Sequence, residues 1–451
     1  MSPACRRLVA GGGAALAILL PLWFNPFAAA TFEPPKVTLF LAVTASMVLA
    51  RSACALLGRA GIPGRQRARA WIAAQSRHNL LLLPACAYAA AHILATLTSP
   101  HPARSFWGAG PNPHGTITTL SLVTLFLLMT EALAGPEERE RLVTAFLWGR
   151  VPVAIYGLAQ YLGLDPLEWL TSPVPRAFST LGNTIYLGAY LAMAIPFTLA
   201  RLVSAAGWGE ALRYGLVLAL QVGCLRVTFS RGAWLALLGA ALLFLGYLAW
   251  QRRSKALLLV ALLVLLEGGW RFAAMSGLDL PLPKPLGTPG LPGTRADTRL
   301  ARDQAASMGA RLAIWRGTLA LLPGRWPLGY GPESYAEVFS AHYPPEFVRY
   351  QPTTRLVDDP HNIFLEHLIS AGIAGLLALL SLLGAFLWGA ARTLLPGALN
   401  RSKLTLAAAA SSVVAFLVAT QFNPDVIVLS AFFWLDLALG VAAMEACRQP
   451  G

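Results

Sequence analysis

Apolar runs of about 20 residues, separated by short polar breaks, recur along nearly the whole chain. A helix needs about that length to cross the hydrocarbon core of a bilayer, so each run is typical of a membrane span. Only 12% of the 451 residues are charged, far less than the surface of a soluble protein of this length requires. Because backbone polar groups must pair with each other in lipid, we expect an all-α integral membrane protein built as a helical bundle.

The apolar runs predict twelve membrane spans. Nine spans fall within residues 1–273, a large polar loop follows over 274–361, and three more spans fall within 362–451. No internal repeat and no second soluble domain are visible in the sequence. The predicted spans lie at about 8–25, 37–57, 79–98, 116–135, 142–162, 181–203, 211–229, 231–250, 255–273, 362–391, 404–421 and 425–445.

The net charge of +14 has a topological explanation. Lysine and arginine are concentrated in the breaks after spans two, eight and ten, and short loops rich in these residues stay in the cytoplasm. This bias predicts that both termini are cytoplasmic and that the loop 274–361 lies on the outer side. We therefore do not expect nucleic acid as a partner. The five cysteines show no metal-ligand spacing, and we expect neither a disulfide framework nor a zinc site.

The large outer loop contains one predicted helix. Its first part is rich in proline and glycine over 280–293, which favours extended or turn-rich backbone. A helix is predicted over about 304–322, and Gly-Tyr-Gly-Pro at 329–332 ends it. One apolar face of this helix would suit a position flat on the membrane surface. Residues at spacings of three and four form that face: Met308, Leu312, Trp315, Leu319 and Leu322.

Two groups of arginines are predicted on the outer face. Arg226 and Arg231 flank the turn between spans seven and eight, and Arg311 precedes Trp315 and Arg316 on the loop helix. An arginine at a membrane boundary is costly unless it is paired or reaches the headgroups. Headgroup contact, or an ordinary basic helix face, is one explanation. The other is a fixed guanidinium that binds an anionic group bidentately.

A histidine stands where the loop ends and the tenth span begins, in the sequence Asp359-Pro360-His361-Asn362. A histidine at this boundary titrates near neutral pH and still reaches chemistry on a lipid. A purely structural role is an alternative, and so is a metal site with Asp358 and Asp359, although a complete ligand set is missing. Ionisable residues deeper in the spans, at positions 366, 367 and 436, are equally well explained by interhelical hydrogen bonds.

Three sequence elements together resemble the O-antigen ligase superfamily, which contains O-antigen ligases, O-antigen polymerases and bacterial O-oligosaccharyltransferases. The ligase pattern His-[Asn/Ser/Gln]-x9-Gly-x2-[Gly/Thr/Tyr] is matched by His361, Asn362, Gly372 and Gly375. The pattern Arg-x3-Leu is matched at 231–235, and Arg311 fits the arginine of the large periplasmic loop by position. Weaker similarities at 35–36, 160–164 and 176–183 extend the resemblance over nearly the whole chain.

This resemblance implies a GT-C-like glycosyltransferase in the bacterial inner membrane, with its active site on the periplasmic face. Such an enzyme moves a glycan from undecaprenyl pyrophosphate to an acceptor hydroxyl, for a ligase on lipid A-core, without metal or cofactor. Departure of the pyrophosphate develops negative charge, which Arg231 and Arg311 would stabilise. His361 would accept the proton of the attacking hydroxyl as general base, and the anomeric centre would invert.

The remaining roles are assigned more broadly. Arg226, Arg176, Trp315 and Asn362 are predicted to bind substrate, with Asn362 orienting His361 as an alternative. Gly372 and Gly375 are expected to permit close helix packing. His361 as a positioning residue, and a polymerase or a protein O-oligosaccharyltransferase as the activity, stay open. A secondary transporter is a more distant alternative, because no half-to-half similarity is seen.

Overall fold

The computed structural model describes residues 1–57, 79–109, 113–167, 169, 176–251, 309–342, 347 and 357–448. These residues are helical or lie in turns and loops, and none of them forms a strand. The helices are α1 Pro3–Leu22, α2 Glu33–Leu57, α3 Leu82–Leu97, α4 Pro102–Trp107, α5 Thr116–Ala132, α6 Pro136–Tyr161, α7 Thr184–Val203, α8 Trp208–Val227, α9 Arg231–Trp250, α10 at 309–321, α11 Tyr335–Ser340, α12 Ile363–Leu394, α13 Arg401–Ala419 and α14 Ile427–Arg448.

Within the described residues, eight helices are long and apolar enough to cross a membrane: α1, α2, α6, α7, α9, α12, α13 and α14. Two shorter apolar helices, α3 and α5, coincide with further predicted spans. Helix α8 has 20 residues but carries Glu210, Arg213 and Arg226. The predicted span at 255–273 lies outside the described residues. The chain is thus an all-helical protein with the features of a multi-pass membrane protein, and the number of twelve spans stays a prediction.

The bundle has a centre and a rim. All of the most apolar stretch of α14 is buried, compared with 17% in α2. Helix α14 packs against α13 and α5, while α13 also packs against α7 and α9. A helix that is apolar on all sides and buried belongs in the middle of a bundle, whereas α2 presents most of its apolar surface outward, as a lipid-facing helix does.

The predicted outer loops meet at one end of the bundle. The loops after α1 and α6 share an aromatic cluster, in which the rings of Phe32 and Trp169 are 5.4 Å apart. The loop before α5 reaches α2 through a 2.8 Å contact between His114 and Glu33. At the opposite end, Arg51 binds Glu131 and Arg201 binds Glu140, the latter at 2.6 Å. This arrangement gathers the predicted outer loops on one side, while the compartment that they face stays a prediction.

Helix α12 is interrupted at Gly372, where φ is 66° and ψ is −167°. This conformation is essentially restricted to glycine. The non-helical segment 326–331 fills the break, because the amides of Tyr330 and Gly331 donate to Ile369 and Ser370 carbonyls at 2.8 and 2.9 Å. A Cβ atom on Gly372 would lie 2.4 Å from the Pro327 backbone. The close approach expected at Gly372 is therefore real, but the partner is this non-helical segment rather than another helix.

The loop helix predicted over 304–322 is observed as α10 at 309–321, and its earlier part lies outside the described residues. The helix has a second apolar face besides the predicted one. One face packs on the protein through Ala310, Ile314 and Leu321, joined by Trp315 and Leu322 of the predicted set. The other carries the predicted residues Leu312 and Leu319, which are 45% and 50% exposed. An exposed apolar face suits a helix that lies on the membrane surface, and this position of α10 stays a prediction.

Candidate functional site

The predicted histidine lies on a tight loop just before α12. His361 adopts a left-handed conformation with φ 54°, and its backbone amide donates to the Asp359 carboxylate. Its Nδ1 atom lies 3.4 Å from Asp359 Oδ1, and the side chain is 30% exposed. A left-handed conformation at a non-glycine residue is uncommon, and here the Asp359 carboxylate stabilises it by accepting from the backbone amide. The ring Nδ1 lies near the same carboxylate but has no hydrogen-bond partner among the described residues.

Asn362 is the N-cap of α12. Its Oδ1 accepts hydrogen bonds from the amides of Phe364 and Leu365 at 3.0 and 3.1 Å. Its Nδ2 donates to Gln421 Oε1 at 3.1 Å, beyond the end of α13. These contacts satisfy helix-terminal amides that would otherwise be unpaired. Asn362 thus links the start of α12 to the end of α13, and both substrate binding and orientation of His361 stay predictions for it.

Trp315 holds helix α10 against the His361 loop. Its indole Nε1 donates to the Pro360 carbonyl at 2.9 Å, and its ring lies 6.4 Å from that of Phe422. Phe422 belongs to the loop between α13 and α14. Because Arg311 is one turn before Trp315, its side chain leaves α10 on the same face as the indole. The hydrogen bond to Pro360 therefore brings Arg311 to the neighbourhood of His361.

The two arginines of the predicted site are neighbours. Burial, together with the positive charge of Arg231, lowers the pKa of the Arg311 guanidinium. Arg311 Nε is buried without a hydrogen-bond partner among the described residues. Arg231 is the first residue of α9, which Ser230 caps by accepting from the Ala233 amide. The positive end of the α9 dipole adds to the two guanidinium charges, so this place favours an anion.

The loop between α13 and α14 connects α9 to the histidine. Gly232 lies beside Asn423, with the Asn423 Nδ2 atom 3.5 Å from the position that a Cβ would take. The Ile363 amide donates to the Thr420 carbonyl at 2.9 Å. The start of α9, the start of α12 and helix α10 thus surround one loop, which explains how residues far apart in sequence share one region.

Arg176 supports the turn that precedes Arg231. Its guanidinium donates to the carbonyls of Thr228 and Phe229 at 3.1 and 3.3 Å, and burial lowers its pKa. Phe229 has a left-handed backbone with φ 51°. Arg226 lies in the last turn of α8, next to the same turn. Arg176 therefore fixes the start of α9 through backbone carbonyls, and its predicted contact with substrate stays a prediction.

A cavity of about 410 Å³ opens on the other side of the His361 loop. Asp358, Asp359 and Asn362 contribute to its wall, whereas His361, Arg231 and Arg311 do not line it. Five carboxylates contribute to the lining, together with the cations Arg104 and His114: Glu333, Asp358, Asp359, Glu366 and Asp425. This acidic cavity, so named because its carboxylates outnumber the two cations, meets loop 358–362 at Asp358, Asp359 and Asn362, whereas Arg231 and Arg311 lie outside its lining.

A buried charge network stabilises the mouth of this cavity. His114 contacts the Glu33 carboxylate through Nε2, and its backbone amide donates to Glu333 at 2.8 Å. Burial lowers the pKa of His114, but hydrogen bonding to Glu33 raises it by more, to about 9. The ring is therefore protonated at neutral pH. Burial raises the pKa of Asp425 to about 6. The sequence did not predict these residues as a group, because each lies in a different polar segment between apolar helices.

The deep end of the cavity is closed by interhelical hydrogen bonds. Tyr88 Oη lies 2.6 Å from His367 Nε2, while His367 Nδ1 lies 2.8 Å from the Ile363 carbonyl. A carbonyl only accepts, so Nδ1 carries the proton and Nε2 accepts from the tyrosine. Ser412 likewise donates to Asp436 between α13 and α14. The expectation of interhelical hydrogen bonding is confirmed for His367 and Asp436.

The described residues contain no group of three or more His, Cys, Asp or Glu side chains arranged to hold a metal ion. The alternative of a metal site at Asp358, Asp359 and His361 therefore finds no support in that part of the chain. His361 and Asp359 do lie together, as an imidazole–carboxylate pair.

The fold and these residues define a class of protein, a multi-pass helical membrane protein with paired cations at one end of the bundle. Residues 216–380 match the family Wzy_C, described as O-antigen ligase. The matched segment includes Arg226, Arg231, Arg311, Trp315 and His361. It supports membership of the O-antigen ligase superfamily, as the motifs predicted, and that family implies a glycosyltransferase-type activity on lipid-linked glycans. A search of curated proteins found no match.

Proposed function

We propose that the protein is an O-antigen ligase-type glycosyltransferase that moves a glycan from undecaprenyl pyrophosphate to a hydroxyl of lipid A-core. The observation that carries this proposal is the neighbouring pair Arg231 and Arg311 beside the His361 loop, at one end of a membrane bundle. The reaction takes place at the periplasmic face of the inner membrane. It inverts the anomeric centre and uses neither metal nor cofactor.

The arginines act on the leaving group. When the bond between the anomeric carbon and the pyrophosphate oxygen breaks, negative charge accumulates on that oxygen. Two guanidinium groups and the N-terminus of α9 stabilise this charge in a site that is partly shielded from water. Bringing two like charges together costs free energy in the empty site, and an anionic pyrophosphate relieves that cost when it binds.

His361 acts on the acceptor. Its Nδ1 lies 3.4 Å from Asp359 Oδ1, an electrostatic contact without a hydrogen bond, and in the proposed reaction the Nε2 lone pair accepts the proton. The acceptor oxygen attacks the anomeric carbon, its proton passes to Nε2, and the electron pair of the broken bond stays on the pyrophosphate. Asp359 stabilises the imidazolium that forms. Attack opposite the leaving group inverts the configuration.

The acceptor distinguishes the family members. A polymerase or a protein O-oligosaccharyltransferase uses the same donor chemistry and differs in the hydroxyl that attacks. The complete ligase pattern from His361 to Gly375 favours the ligase. A deletion strain separates the possibilities: loss of glycan attachment, with accumulation of the lipid-linked polymer, is the ligase outcome. Loss of chain length with attachment retained would indicate a polymerase.

The donor role of the arginines is tested with purified protein, lipid-linked glycan and lipid A-core. Arg231→Ala is expected to reduce kcat roughly 100- to 1000-fold, as removal of one transition-state donor does. Arg231→Lys keeps the charge but loses the bidentate geometry, and we expect intermediate activity. Arg213→Ala, an exposed arginine at the other end of α8, is the control with wild-type turnover. Full activity of Arg231→Ala would overturn the proposal.

A further inference from the structure

The acidic cavity is distinct from the cationic side, although the two share a wall. Asp358, Asp359 and Asn362 line the cavity, and the same loop presents His361, which does not line it. Trp315 contacts this loop at Pro360 from the α10 side. A molecule in the cavity and a molecule beside the arginines would therefore approach the His361 loop from different directions. A transfer reaction with two substrates requires such an arrangement.

Two carboxylate oxygens of the cavity residues have no hydrogen-bond partner among the described residues. These atoms are Glu366 Oε2 and Asp425 Oδ1, and both are buried. The second oxygen of Asp425 accepts from Ser430. A buried carboxylate oxygen without a donor is costly, so both atoms are suited to accept hydrogen bonds from a ligand.

Part of the remaining wall is aromatic. Tyr88, Phe433 and Trp434 line the cavity, and the rings of Tyr88 and Trp434 lie 5.6 Å apart. The Tyr88 hydroxyl is already occupied by His367. Carboxylates that accept from hydroxyls, combined with aromatic faces that pack against C–H groups, form a site for a neutral polyol such as a sugar ring.

Resting on the proposed function, we propose that this cavity binds a sugar residue of the acceptor. Its hydroxyl groups donate to Glu366 and Asp425, and its ring packs against the aromatic wall. The cavity volume of about 410 Å³ suits one or two such rings and excludes a long polymer. The cationic side binds the donor pyrophosphate. The donor pyrophosphate and the acceptor sugar thus occupy different places beside loop 358–362.

Steady-state kinetics with lipid-linked glycan and lipid A-core test this assignment. Each substrate is varied at saturating concentration of the other, for the wild type, Glu366→Gln and Asp425→Asn. Replacement of one carboxyl oxygen by an amide NH2 group removes a hydrogen-bond acceptor and predicts a rise of roughly 10- to 100-fold in the acceptor KM of either variant. The donor KM is expected to stay at the wild-type value. Glu137→Gln is the control, since Glu137 is exposed, pairs with Arg7 and Arg141 and does not line the cavity.

The outcomes separate the two proposals. Wild-type transfer with an unchanged acceptor KM in both variants would overturn the acceptor site and leave the proposed function intact. A parallel rise of the donor KM would overturn it as well, because the cavity would then serve the donor. Absence of transfer by the wild type would overturn the proposed function and, with it, this inference. Calorimetric titration of each variant with lipid A-core should show the same loss of affinity, which a defect in catalysis alone would not produce.

Discussion

The two ends of the helical bundle use arginine in opposite ways. At the end where the termini lie, Arg51 binds Glu131 and Arg201 binds Glu140, so each guanidinium has a carboxylate partner. At the other end, Arg311 lies beside the like-charged Arg231, and Arg176 is held by backbone carbonyls. The first arrangement neutralises charge within the fold. The second places two guanidinium groups close enough to repel each other, which costs free energy.

The carboxylates at the second end are kept apart from those arginines. Glu333, Glu366 and Asp425 line a cavity that neither Arg231 nor Arg311 reaches, and His114 is the cation that pairs with Glu33. Ion pairs between these carboxylates and the two arginines would neutralise the charge of both groups. The separation by loop 358–362 therefore preserves two electrostatic environments within one end of the bundle. Substitutions at the two ends are expected to differ in how strongly they change transfer activity and stability.

Gly372→Ala should have the largest effect. Alanine would need a left-handed backbone at φ 66°, and its Cβ would meet the Pro327 backbone at 2.4 Å. Strain of about 1–3 kcal/mol is expected from the backbone alone, before the steric overlap is counted. We expect loss of transfer and a lower unfolding temperature in detergent. Gly384→Ala is the control on the same helix, because nothing lies within 4 Å of its Cβ position. A fully stable Gly372→Ala protein would contradict the role of the break.

Arg311→Ala should abolish most of the activity and leave the fold intact. Removing a guanidinium that stabilises the leaving group predicts a fall in kcat of roughly 100- to 1000-fold. Relief of repulsion with Arg231 should make the empty protein no less stable. The matched controls are Arg316→Ala, an exposed arginine on the same helix, and Arg201→Ala at the other end. If Arg201→Ala lost as much activity as Arg311→Ala, the distinction between the ends would fail.

Trp315→Phe should have a moderate effect. The substitution keeps the aromatic packing near Phe422 but removes the indole hydrogen bond to the Pro360 carbonyl. A lost hydrogen bond of about 1 kcal/mol predicts a decrease of roughly fivefold to tenfold in kcat, through a less well positioned loop. Kinetics at saturating donor and acceptor would measure it. Trp326→Phe, at an exposed tryptophan, should leave turnover unchanged.

A smaller, pH-dependent effect is expected from His114. Its pKa is raised from 6.5 to about 9 by Glu33, with Asp425 and Glu333 also facing it. A raised pKa in the folded state contributes stability that is complete below pH 6.5 and is lost as the pH rises to about 9. The unfolding temperature of the wild type should therefore fall over that window. His114→Gln should flatten this part of the profile, and an equally steep fall in the variant would assign it to other groups.

Much of the site could be predicted because its elements are local signals. The switch from a polar loop to an apolar span at His361 marks the start of α12, and Asn362 is a residue type that caps helices. The arginines at 231 and 311 could be recognised because a charged side chain at a membrane boundary is energetically costly unless it has a partner or a function. Periodicity and length likewise identified the apolar helices, since a span leaves a continuous apolar run.

The acidic cavity could not be predicted, because its carboxylates come from separate polar breaks. Glu333 and Asp425 resemble ordinary loop residues until the fold brings them together with Glu366. The partner of Gly372 was also hidden, since only the tertiary fold inserts 326–331 into the helix. The second, buried face of α10 was not predicted for a related reason. Small residues such as Ala310 and Ala313 carry little weight in a periodicity argument, yet both are only 3% exposed in the packed cluster.

The most direct test of the account is the pH dependence of His361→Ala, with lipid-linked glycan and lipid A-core as substrates. The account predicts a decrease in kcat of roughly 100- to 10,000-fold, unchanged donor KM, and loss of the acidic limb of the pH profile. Asn362→Ser, which keeps a capping side chain, should retain the limb and serves as the control. Near-normal turnover of His361→Ala, with the wild-type pH profile preserved, would contradict the assignment of His361 as the base beside the arginine pair.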